Sequence, residues 1–173
     1  VHVEKMARPK LQDDTKILAH LMAALAESGE KALTFGAISQ RCGLAPATLS
    51  QRFGSVEGMI RAAGCAEWAR LTVALHDAED DALASAKGVQ ALLKHLPIPG
   101  AQLLALSLRD AELTKAAETW RSEVEAALAK RRGGGAKGRD AAALIFAAWQ
   151  GRALWEAAGG KSFRLSDLMK VMP

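Results

Sequence analysis

Tyrosine is absent from this 173-residue chain, cysteine occurs only twice and proline five times. Without tyrosine, no phenolic hydroxyl can donate to a phosphate. Cys42 and Cys65 lie far apart, which argues against a disulfide-framed scaffold or a thiolate metal site; both are expected in the core. Scarce proline beside abundant Ala, Leu, Glu, Lys and Arg makes the helix the dominant element. No apolar run approaches the ~20 residues of a membrane span. Val1-His2-Val3-Glu4-Lys5 carries no apolar signal core, so the expected location is the cytoplasm. A formal charge of +4 permits a nucleic-acid partner without demanding one.

Catalytic patterns are missing too. The candidates are His20, His76 and His95, and the adjacent His76-Asp77 would point about 100° apart on a helix. No nucleophile elbow, paired metal ligands or redox motif occurs. In Lys130–Arg139, Gly133 and Gly138 have the glycine spacing of a phosphate-binding loop. Arg139-Asp140 stands where Lys-Ser/Thr is required, however, and no strand precedes it. That stretch reads as a flexible, solvated basic loop. The chain is therefore not expected to be an enzyme or to carry a metal or cofactor.

What is present is a helix-turn-helix pattern over Thr34–Gly58. Thr34 can cap a first helix whose buried face holds Ile38 and Cys42. Gly43 can close that helix in a left-handed cap, with Leu44 as its hydrophobic partner. Pro46 can open the next helix without losing a hydrogen bond. Leu49 and Phe53 give this second helix one apolar edge and turn Ala45, Ala47, Thr48, Gln51 and Arg52 outward. Small or donating side chains of this kind suit a DNA major groove. Thr48 and Gln51 are assigned to base edges, Ser50 and Arg52 to phosphate.

The flanks extend this to a fold. Asp13 or Asp14 begins a bracing helix carrying Ile17, Leu18, Leu21 and Leu25, which ends at Ser28-Gly29. Ahead of it, Lys5, Arg8 and Lys10 face only Glu4. They form either a basic arm that reaches DNA or a frayed, solvated terminus. A fourth helix is expected from Ser55 to near Ala78, then helices over Ser85–Leu96, Ala101–Leu108, Leu113–Arg131 and Asp140–Ala158. The last is apolar nearly all round and needs cover on both sides. With Leu113–Arg131 it is read either as a dimer seam through Trp120, Val124, Leu144, Ala148, Gly151, Arg152 and Trp155, or as an internal core helix. The fold expected is all-α, with a three-helix DNA-binding domain over 1–54 and a larger helical domain over 55–173 that holds the last two helices.

Ile17, Ala24-Leu25-Ala26-Glu27-Ser28-Gly29, Thr34, Ile38-Ser39, Gly43-Leu44, Ala47-Thr48-Leu49, Arg52-Phe53 and Ser55-x-Glu57 together resemble the N-terminal domain of the tetracycline-repressor (TetR) family. The resemblance covers roughly the first third of the chain. It implies a homodimeric regulator that binds a double-stranded operator, usually a repressor released by a small molecule. Thr34, Ala45, Ala47, Thr48, Ser50, Gln51 and Arg52 form the DNA-binding set, and Arg52 matches a position that often meets phosphate. Two family anchors are replaced, the usual Tyr by Ser50 and the usual Lys by Val56. An effector pocket is implied at Trp68, His95, Leu103, Trp120, Phe146 and Trp149, suited to an apolar or aromatic molecule. The rival reading is a dimeric helical adaptor or antirepressor that has lost specific DNA binding.

Overall fold

Ile17, Leu21, Ala24 and Leu25 recur at helical spacing and form the buried edge of α1, Asp14–Ser28. The computed structural model describes residues 14–83, 88–159, 164 and 167. Among them every regular element is helical. The chain divides into two compact units, Val1–Ala63 and Gly64–Pro173. The division falls inside one continuous helix rather than in a linker.

In the first unit, α1 packs against α2 (Phe35–Cys42), which packs against α3 (Pro46–Phe53). Ile38 and Leu49 are fully buried between them, as is Met59 from the start of α4 (Val56–Leu83). Hydrophobic burial of such residues is worth roughly 1.5–3 kcal/mol each, which is what lets two eight-residue helices hold their shape. A 3₁₀ turn over Glu30–Ala32 connects α1 to α2, an element that the sequence pattern does not signal. Ser55 caps α4 by accepting from the Gly58 N–H at 3.0 Å.

The second unit takes the rest of α4 with α5 (Val89–His95), α6 (Ala101–Ser107), α7 (Ala111–Arg131) and α8 (Gly135–Ala157). α4 runs past the expected Ala78 to Leu83. Residues 85–87 of the anticipated fifth helix lie outside the described residues. Asp110 caps α7 by accepting from the Glu112 and Leu113 N–H groups. At Gly64, α4 approaches α7 so closely that a Cβ would stand 2.7 Å from Leu113 Cδ2. Arg131, at the end of α7, reaches α4 and donates to the Glu79 carboxylate at 3.4 Å and to its backbone carbonyl at 3.2 Å.

The basic loop expected before Asp140 is instead a tight helical hairpin. α7 ends at Arg131 and α8 begins at Gly135, so Lys137 and Arg139 are helical. Gly133, Gly134 and Gly135 all have positive φ, at 86°, 68° and 66°. Only glycine adopts that region without cost, so the glycine cluster is a turn and not a flexible tether. Gly138 is buried in the first turn of α8, and a Cβ there would meet the Ala129 carbonyl of α7 at 3.2 Å.

Candidate nucleic-acid interface

The turn between α2 and α3 is built as its residue types dictate. Thr34 Oγ1 accepts from the Ala37 N–H at 3.0 Å. Gly43 closes α2 at φ 72°, ψ 12°, its N–H donating to the Ser39 carbonyl. Pro46 occupies the first turn of α3 after an extended Ala45. With Leu49 buried, Ala45, Ala47, Ser50 and Gln51 are exposed, while Thr48 is half-buried. A face of short side chains and one amide lets a helix backbone approach base edges closely.

Charge on this unit is held more tightly than the sequence conveys. Arg52 Nη1 donates to Asp14 Oδ1 at 2.9 Å, and Arg41 Nη2 to Glu27 Oε2 at 2.6 Å. Both arginines of the helix-turn-helix are thus paired with carboxylates of α1. Arg41 holds the Glu27 carboxyl below the ordinary glutamate value, by its hydrogen bond first and its charge second. Nothing local in the sequence signals the Arg52 pair, because Asp14 carries only the mark of a helix start. Lys5, Arg8 and Lys10 lie outside the described residues.

In the second unit, Trp120 is the centre of an aromatic cluster. Its ring centroid lies 5.4 Å from Trp68, 6.0 Å from Phe146 and 6.4 Å from Trp149. Trp68 donates its indole N–H to Ser107 Oγ at 3.0 Å, an acceptor that sequence reasoning missed because serine seldom stays buried. The Trp120 indole N–H is buried and makes no hydrogen bond with the described residues. Leu103 joins this core, whereas His95 is exposed on the last turn of α5.

Trp120 and Val124, which the seam reading includes, are core residues of the single chain. Both are buried, at 1% and 0% exposure. α8 has two faces instead. Ala142, Ile145 and Trp149 are buried, while Leu144 (61%), Leu154 (55%) and Trp155 (67%) are exposed, with Ala148 and Gly151 half-buried between them. Arg152 lies along this strip, donating to Glu156 at 2.7 Å.

Cys42 is buried as expected, but Cys65 is only half-buried, with Sγ 3.7 Å from Glu112 Oε1. Among the described residues no group of three or more His, Cys, Asp or Glu is placed to hold a metal, and no helix is long and apolar enough to cross a membrane.

No family model and no curated protein matches the chain. Among solved structures it is similar to a TetR family protein from Vibrio parahaemolyticus, provisionally assigned as a transcriptional regulator. The TM-score is 0.62 at 19% identity, over 92% of this chain and 94% of that one. The fold of this chain, along nearly its whole length, is therefore that of a TetR family structure.

Proposed function

We propose that the chain is a sequence-specific DNA-binding transcriptional regulator of the TetR type, working in the cytoplasm as a homodimer. The observation that carries this reading is the α2–α3 unit, with its left-handed Gly43, its Pro46 start and an outer face of Ala45, Ala47, Ser50 and Gln51. One such helix covers only a few base pairs, so a two-fold pair reading half-sites about 34–36 Å apart is needed for specificity. The exposed apolar strip of α8 supports self-association.

Selection of binding sites from random duplex by the purified protein tests the proposal. A two-fold symmetric site is expected, with affinity falling steeply as salt rises. A helical adaptor is the second reading, favoured by the pairing of Arg41 and Arg52 and by the uncharged exposed face of α3. It predicts no enriched site.

Repression relieved by an effector is the regulatory part of the proposal. The buried Trp120 N–H offers a donor among apolar rings, which suits an aromatic or apolar molecule carrying one acceptor. Such a ligand should quench indole fluorescence and weaken operator binding by ~1–3 kcal/mol, with the operator weakening the ligand equally. Ligands that bind without altering operator affinity would rule out this switch.

A further inference from the structure

Arg52 lies in the last turn of α3, the second helix of the helix-turn-helix, and its side chain is 20% exposed while its partner Asp14 is 62% exposed. The ion pair therefore stands at the surface of the first unit, open to exchange. A carboxylate and a DNA phosphate present a guanidinium with the same chemistry, a delocalised anion whose oxygens accept its planar donors. In helix-turn-helix docking the second helix enters the major groove, so cations along its flanks face the sugar-phosphate backbone. Arg52 is the only cation in α3, and Asp14 already occupies it.

We propose that Asp14 is an internal competitor for a DNA phosphate: it holds Arg52 in the free protein, and binding requires Arg52 to exchange carboxylate for phosphate. The inference rests on the reading of α2–α3 as a DNA reader. Its physical effect is a uniform one. Every duplex must displace the same carboxylate, so Asp14 lowers absolute affinity without altering which sequence is preferred. It also keeps the guanidinium at the end of α3 instead of leaving a long side chain to be ordered during binding. Because an exposed pair is weakly held, the exchange is readily reversible.

Asp14→Asn, Arg52→Gln and the double variant, with helicity checked for each, test this by duplex binding across a salt series. Asp14→Asn keeps the shape and removes the charge. It should tighten binding about two- to fivefold for preferred and random duplexes alike, the range of an exposed ion pair. Arg52→Gln should reduce the log–log salt slope by about 0.9, the signature of one lost phosphate contact. In the Arg52→Gln background, Asp14→Asn should have little further effect. An equal gain in both backgrounds would mean general charge repulsion and would overturn the exchange, as would weaker binding by Asp14→Asn. If the parent binds DNA but Arg52→Gln leaves the slope unchanged, the exchange fails and the DNA reading stands. If neither the parent nor Asp14→Asn binds any duplex while both are fully helical, both fail together.

Discussion

The indole N–H of Trp68 on α4 donates to Ser107 Oγ on α6 at 3.0 Å, and that hydroxyl in turn donates to the Leu103 carbonyl at 2.8 Å. Both side chains are buried, so the serine serves the tryptophan as acceptor where water cannot. Ser107→Ala should cost about 1–3 kcal/mol in urea unfolding, because it strands a buried donor. Replacing Trp68 by Phe in the same chain should make the serine change nearly neutral. Equal losses in both backgrounds would show that the bond contributes nothing.

Gln51 is exposed on α3 and uncharged. If it reads a base edge, Gln51→Ala should alter the selected sequence at one position in each half-site, with a discrimination loss of ~1–3 kcal/mol. The salt slope should stay as it was, because no phosphate contact is removed. An unchanged preference with a flattened slope would place Gln51 on the backbone instead.

Ala148 lies in the α8 strip between Leu144 and Trp155. An arginine there would be buried unpaired wherever two strips meet, at a cost of several kcal/mol. Ala148→Arg should therefore sediment as a helical monomer with little operator affinity. A variant that stays dimeric would locate the seam on another surface.

Glu27 has its carboxyl lowered below the ordinary value by Arg41. A carboxylate depressed in the folded state adds stability that is present above its unfolded value and is lost as pH falls through the folded one. Thermal melts should then show the parent losing stability faster than Glu27→Gln as pH drops below about 4. Parallel curves would mean that the pair does not contribute in solution.

The helix-turn-helix was legible in the sequence because its signals are local. Thr34, Gly43 and Pro46 each act within one turn of helix, and the structure places each in the role that its chemistry predicts. The Arg52–Asp14 pair spans 38 residues of sequence, and nothing near Arg52 announces its partner. Trp120 and Val124 fall on an apolar stripe, and a stripe records that a face is covered without recording whether its own chain or a copy covers it. The hairpin is hidden in the sequence for a different reason. Glycine-rich composition is the usual mark of a loose loop, and only backbone angles distinguish that from three residues held at positive φ.

That hairpin also bears on the order of folding. Only Arg132–Gly134 separates α7 from α8, and these two helices pack along one another in the second unit. Chain closure across so short a connection loses little entropy, and contacts near in sequence form early. The α7–α8 pair is thus the natural nucleus of its unit, and conservative truncations at Val124 or Ile145 should slow refolding more than they speed unfolding. The packing of Trp120 on α7 against Phe146 and Trp149 on α8 is, on this account, assembled first.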